Sequence, residues 1–412
     1  MRLMPGLVVK TESPFGKETI MKRYCKNICL DRKLISAAVR DCLKNKIGRR
    51  DTIRMFSEYT GLPCDMLGRI ARRKEYTFFD GIIETVIDGI AEEIRNKQYV
   101  VKPIKYHKKL DGCSGKTRCI GVQDIKQQLY DYIAVYSLRE VFEKKTGYYQ
   151  CSAIEGKGQL FGVLALKKWI NDHNMRWAWQ SDVRHYYETI DKERLKRMLH
   201  RDVANKDALH LAFFLIDTFK RGLSIGSYLS QFLANYYLSL AYHYASECLF
   251  KIRRQRNGTE KRVRLVHHVL FFMDDVIFIG ASLKDLKMAE KKYRTFVSKE
   301  LGLEIKETSK YIDLSKGYVD MMGFKVSRRN LTIRASNFSR LRRNLKRVDR
   351  LNRSRKAIPL KLARVTASRS GFLGHTDSRH FCKRNNAQEL IRICNNVISE
   401  HDKEAKRENN EI

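Results

Sequence analysis

The chain has 412 residues, 43% hydrophobic and 10% aromatic, with 82 Lys and Arg against 46 Asp and Glu for a formal charge of +36. This apolar content excludes a disordered polymer, the length excludes one simple core, and a cationic excess spread along the whole chain points to nucleic acid. No apolar stretch approaches the ~20 residues of a membrane span, and the start "MRLMPGLVVK" is too short an apolar run for a signal peptide, so a cytoplasmic protein without membrane contact is expected.

From about residue 23 to 96 the pattern is helical and basic. Ile82, Ile83, Val86, Ile87 and Ile90 recur at three- and four-residue steps, which predicts one buried helix face. The opposite, basic face suits a structured RNA or plain solvent equally. Cys25 and Cys29 stand four apart with no second pair at zinc-like spacing, so packing is their expected role. Residues 100–122, "VVKPIKYHKKLDGCSGKTRCIGV", predict two short strands about an Asp111-Gly112 turn, with Lys116 and Arg118 projecting from one face. Helices over "IKQQLYDYIAVYSLREVFE" and "FGVLALKKWINDH" flank "EGKGQ", where Gly156 and Lys157 are candidates for a template phosphate.

The strand "RWAWQSD" ends on Asp182 and leads to the helix "KERLKRMLH". "RGLSIGSYLSQFLANYYLSLAYHYA" is a glycine-rich entry to a long helix. A polar basic excursion, "RRQRNGTEKR", precedes the hairpin "VLFFMDDVIFIG". An amphipathic helix over 283–297, a strand pair in "YVDMMGFKVSRRNLTIRA" and a strongly basic helical end complete the chain. Strands interleaved with helices predict an α+β core flanked by helical modules.

Asp274 and Asp275 interrupt an otherwise apolar hairpin. Two adjacent buried carboxylates would have raised pKa values or require cations, and hard oxygen donors suit Mg²⁺. Asp182, ending a strand, supplies a third. Three carboxylates on neighbouring strands can hold two metal ions ~4 Å apart for in-line nucleotidyl transfer.

These stretches carry a resemblance. "FMDD" (272–275) resembles the aromatic-x-Asp-Asp box of reverse transcriptases, and "DVRHYYETID" (182–191) their first palm motif. "SIGSYLSQFLANYYL" is similar to the motif between them, "GKTRCIGV" to the fingers motif, "MMGF" to the primer grip, and "SRSGFLGHTDSRHF" to the thumb of bacterial retroelement enzymes. The order is the family's over roughly residues 100–381. The resemblance implies a right-hand polymerase: a helical N-terminal region (1–99), fingers (100–170), palm (171–328), and a basic helical thumb and tail (329–412). It also implies an RNA template, dNTPs, a cDNA product, and two Mg²⁺ ions that Mn²⁺ could replace. An accessory protein or a second copy is a further candidate partner.

By the same resemblance Asp182, Asp274 and Asp275 are catalytic, with the Val183 carbonyl joining the metal set. Tyr187 lies under the incoming sugar and excludes a 2′-hydroxyl. Lys116 and Arg118 hold the triphosphate, and Lys310 or Lys306 its pyrophosphate side. Gly226 lets the chain's own backbone approach the template strand; Gly226, Ile225 and Gln231 belong with the nucleotide, and Ser230 with the template and primer. Met322, Gly323 and Phe324 form the primer grip, and Arg342, Arg343, Lys346 and Arg347 the thumb's phosphate contacts. At the position where most bacterial members carry Gln stands Ile225, and "IGSYLSQ" resembles the form in diversity-generating retroelements and defence-associated enzymes. Looser base selection is therefore expected, and Ile225→Gln should lower misincorporation on an RNA template. An RNA-dependent RNA polymerase and a non-catalytic RNA-binding protein are the competing readings.

Overall fold

The computed structural model describes residues 22–110, 115 and 117–407. The chain begins with helices α1 (Arg32–Leu43), α2 (Arg50–Thr60), α3 (Cys64–Arg72) and α4 (Phe79–Asn96). The Asp31 carboxylate accepts from the Leu34 N–H at 2.9 Å and starts α1, and Gly61 at φ 73 ends α2. A two-stranded antiparallel sheet follows, β1 (Lys105–Leu110) with β2 (Thr117–Val122), and the expected Asp111-Gly112 turn lies outside the described residues. Next come α5 (Ile125–Lys145), β3 (Gln150–Cys151), α6 (Gln159–Asn171) and β4 (Trp177–Asp182). The short α7 (Tyr186–Thr189) leads through α8 (Lys192–Asp202) and α9 (Lys206–Thr218) to the long α10 (Tyr228–His243).

The stretch read as an excursion is a hairpin, β5 (Phe250–Arg254) paired with β6 (Glu260–Arg264). After it come β7 (His268–Phe272), β8 (Asp275–Gly280), α11 (Leu283–Phe296) and β9 (Lys310–Asp313). The expected strand pair is a three-stranded sheet of β10 (Val319–Met321), β11 (Phe324–Val326) and β12 (Leu331–Ile333). Helices α12 (Ala335–Arg353), α13 (Leu360–Ser370), α14 (Arg379–Arg384) and α15 (Ala387–Arg407) follow.

The central sheet has five strands in the order β3-β7-β8-β4-β9, antiparallel except where β3 pairs with β7. Both its faces are covered. Trp179, Phe271, Val276 and Phe278 point into a large core with α10 and α11, whereas Ala178, Leu270, Ile277 and Ile279 point into a second core with α6 and the β10–β12 sheet. That is why "VIFI" runs apolar without alternation. A third core, built on Leu341, Leu345, Val348, Ala363 and Leu390, holds the C-terminal helices together.

The N-terminal helices have no core of their own. Ile35, Val39, Phe56, Val86 and Ile90 belong to the same buried cluster as Tyr130, Ile133, Leu211 and Leu233. A polar hub reinforces the seam: Glu93 on α4 accepts from the Tyr59 hydroxyl at 2.9 Å, the Lys126 ammonium at 2.7 Å and the Tyr130 hydroxyl. The fold is thus mixed α+β. Among the described residues no helix is long and apolar enough to cross a membrane, and the described cysteines are free thiols.

Candidate active site

Asp182, the last residue of β4, lies directly across from Asp275, the first of β8. Phe272 pairs with Asp275 to close β7 on β8, leaving Met273 and Asp274 as a two-residue turn. Met273 adopts φ 53, the left-handed first position that the twist of a tight hairpin favours. The Val183 N–H donates to the Asp274 carbonyl at 3.1 Å and ties the turn to the end of β4. The three aspartates expected to act together therefore share one end of the sheet, with Val183 buried beside them.

Burial pushes the Asp274 carboxyl above its ordinary value, and the Asp182 charge adds to this. Burial pushes Asp275 up to about 7, with Asp274 and Asp182 contributing repulsion. Among the described residues, cations oppose these shifts: Arg118 acts on Asp274, Arg334 on Asp275, and Lys306 on both. Arg334 is also paired with Asp320 at 2.5 Å. Lys306 is closest to the centre. Its ammonium donates to the Asp182 carboxylate, and its backbone N–H donates to the Asp182 carbonyl at 3.0 Å.

Three hard oxygen donors, two of them raised by burial and mutual repulsion, have the chemistry a divalent cation satisfies. Among the described residues, however, no group of three or more His, Cys, Asp or Glu stands at metal-holding spacing. The Asp182 carboxylate is committed to Lys306. The donor types fit Mg²⁺, provided that Asp182 exchanges an ammonium for it.

The residues expected at the nucleotide divide into two groups. Tyr187 sits at the turn, its hydroxyl 4.0 Å from the Met273 Sδ, and burial followed by the Asp274 charge pushes it up to about 12. Arg118, exposed on β2, acts electrostatically on both Asp274 and Tyr187, so the β1–β2 hairpin faces the carboxylates. Ile225 is half-buried and Gln231 exposed at the start of α10. Lys116 lies outside the described residues. Of the two lysines read for the pyrophosphate side, Lys310 is exposed on β9 opposite Gln180, whereas Lys306 reaches the Asp182 carboxylate.

Gly226 has a structural requirement within the chain. It adopts φ 110, and a Cβ there would lie 2.6 Å from the Gly121 carbonyl oxygen. The close approach seen is to β2, whose Gly121 N–H donates to the Ile225 carbonyl at 2.9 Å.

Several residues expected to touch template or primer are internal. Ser230 is fully buried, and its N–H donates to the Ser227 Oγ at 3.1 Å, an N-cap of α10. Met322 is buried with its sulfur against Gly162, where a Cβ would come within 2.7 Å. Phe324 is buried with its ring centroid 5.1 Å from that of Phe372. Met322 (φ 55) and Gly323 (φ 83) make the two-residue β10–β11 turn, and these side chains shape that turn from within. Gly156 is exposed at φ 75, and the Lys157 ammonium stands 4.7 Å over the Tyr148 ring. The α12 set lies at the surface. Arg342, Arg343, Lys346 and Arg347 are exposed on one face while Leu341, Leu345 and Val348 are buried on the other.

Sequence reasoning missed Asp131. This fully buried carboxylate on α5 accepts from the Ser227 Oγ at 2.6 Å and the Leu229 N–H at 3.4 Å, and burial pushes it up to about 6. It anchors the N-terminus of α10, and hence Ile225 and Gly226. A lone acid inside the apolar "QLYDYIAV" was the available signal. No protein-family model matches the chain, and no curated protein matches it with significance.

Proposed function

We propose that this chain is an RNA-directed DNA polymerase. The observation that carries the reading is the pairing of Asp182 with Asp275 beside the Met273-Asp274 turn. Divalent cations held by the three aspartates, Mg²⁺ or Mn²⁺, would activate a primer 3′-hydroxyl and neutralise the triphosphate. Arg118 offers the triphosphate a planar fork. Tyr187 stands beside the turn, where a bulky ring excludes a ribose 2′-hydroxyl. The exposed cations of α12 take backbone phosphates without reading sequence. The charge of +36 supports a polyanionic partner. We assign a dedicated noncoding RNA as template and cDNA as product, in antiphage defence or a diversity-generating element.

The test is primer extension on an RNA template, with dNTPs and NTPs supplied separately. Wild-type protein should extend with dNTPs, and Asp274→Ala/Asp275→Ala should abolish extension. Extension that survives the double substitution sinks the reading, and a preference for NTPs replaces it with an RNA polymerase. Sequencing the RNA and cDNA that co-purify identifies the template.

One observation favours a second reading, an RNA-binding protein without catalysis. Lys306 already neutralises Asp182, as a relic site would allow. Such a protein would bind RNA yet incorporate nothing at any Mg²⁺ concentration.

A further inference from the structure

The β5–β6 hairpin is the most strongly cationic element that the catalytic reading leaves unused. Arg253, Arg254, Arg256, Lys261, Arg262 and Arg264 are all exposed, against one acid, Glu260, and none makes an ion pair among the described residues. Lys251 alone is neutralised, by Asp285 at 2.5 Å. Leaving so many like charges together costs stability through repulsion, and a bound polyanion offsets that cost.

The arm is built to hold its shape. Its five register pairs run from Phe250↔Arg264 to Arg254↔Glu260. At the tip the Gln255 N–H donates to the Thr259 carbonyl at 2.8 Å, and Gly258 takes φ 82. At the root the Leu265 N–H donates to the Leu249 carbonyl at 2.9 Å, and the Lys292 ammonium to the Phe250 carbonyl at 3.1 Å. The Arg262 guanidinium stacks 4.0 Å over the Phe250 ring, which fixes one charge in advance.

The arm joins the sheet at the start of β7, whereas the catalytic turn follows its end at Phe272. Beside the root is a notch of about 110 Å³ lined by Tyr149, Trp169, Tyr242, His267, His268 and the arm's own Arg264. His268 lies parallel to Trp169, with centroids 4.7 Å apart. Cations for phosphates next to aromatic and histidine rings are what RNA with an unpaired base requires. A membrane surface fits worse, because the arm's one large exposed apolar side chain is Ile252, at 60% exposure.

We infer that the β5–β6 arm and the notch at its root bind structured RNA outside the catalytic groove. This rests on the RNA-templated reading, and holds the part of the template not being copied. The probe is an RNA stem-loop with an unpaired flank, measured by fluorescence anisotropy across a salt series. One variant carries Arg253→Gln, Arg254→Gln, Arg256→Gln, Lys261→Gln and Arg262→Gln. A control carries Lys33→Gln, Arg50→Gln, Arg54→Gln, Arg69→Gln and Arg72→Gln, an equal charge loss on exposed N-terminal positions.

The arm variant should lose at least tenfold in affinity, with the log–log salt slope shallower by about 4 for its five cations. The control should lose much less, and the arm variant should still extend a minimal primer–template at the wild-type rate. Equal losses in the two variants, or no loss in either, overturn the inference. So does a loss confined to phosphatidylcholine–phosphatidylserine vesicles, or a parallel loss of minimal-template extension. Failure of wild-type protein to extend any primer overturns the polymerase reading separately, since the arm's binding is measured without catalysis.

Discussion

Lys306 donates its ammonium to the carboxylate of Asp182, the residue directly across the sheet from Asp275. The ammonium and a divalent cation compete for the same oxygens. A partly exposed pair of this kind contributes about 0.2–1 kcal/mol. Lys306→Met should therefore lower the Mg²⁺ concentration for half-maximal primer extension by up to about fivefold. A magnesium titration of both proteins checks this; an unchanged or increased requirement would show that Lys306 does not compete.

Tyr187 reaches the turn through its side chain, while its carbonyl accepts the Leu223 N–H at 2.7 Å through the backbone. Tyr187→Ala should thus preserve the chain path and open the space beside Met273. Discrimination between dNTP and NTP should fall on the order of tenfold or more. Single-nucleotide incorporation with each substrate measures it, and an unaltered ratio rejects the steric gate.

Asp131 sets a pH dependence with a definite sign. Its folded pKa is raised from 3.8 to about 6, so its contribution to stability is fully present below pH 4 and is lost as pH rises through 6. The shift corresponds to about 3 kcal/mol. Asp131→Asn can still accept from Ser227, and should flatten this part of the pH profile, gaining most relative to wild type above pH 6. Urea midpoints at pH 4.5 and 7.5 for both proteins decide; parallel profiles would mean that the carboxyl ionises freely.

Gly226→Ala brings a Cβ to 2.6 Å from a backbone oxygen at φ 110, and neither can move cheaply. A loss of about 1–3 kcal/mol is expected. Because Gly121 and Ile225 are joined there, the same change should displace β2 and with it Arg118. A higher dNTP KM should accompany the lower stability, and a variant as stable as wild type would contradict the stated contact.

Much of the fold is legible in the sequence. Apolar runs located β4, β7, β8 and the helices flanking them, and the doublet at 274–275 marked a turn that brings charge to a sheet edge. What remained hidden was long-range. Nothing local distinguishes Lys306 from Lys310, because the choice depends on where the chain re-enters beside β4. Motif position puts Met322, Phe324 and Ser230 at the template and primer, yet their packing partners Gly162, Phe372 and Ser227 bury them. The β5–β6 pairing escaped notice because its cations obscure the alternation by which strands are recognised.

The continuity of the first core through Ile35, Phe56, Val86, Tyr130 and Leu233 bears on heredity as well as on packing. A recombination joint near residue 99 would separate Glu93 from Tyr130 and Lys126, and would strip α5 of its apolar covering. Chimaeras that graft a foreign leader at this point should precipitate, whereas exchanges of the whole block from Cys25 to Ile305, over which this core extends, keep its members together. The opening helices and the segment that follows them must therefore diverge in step.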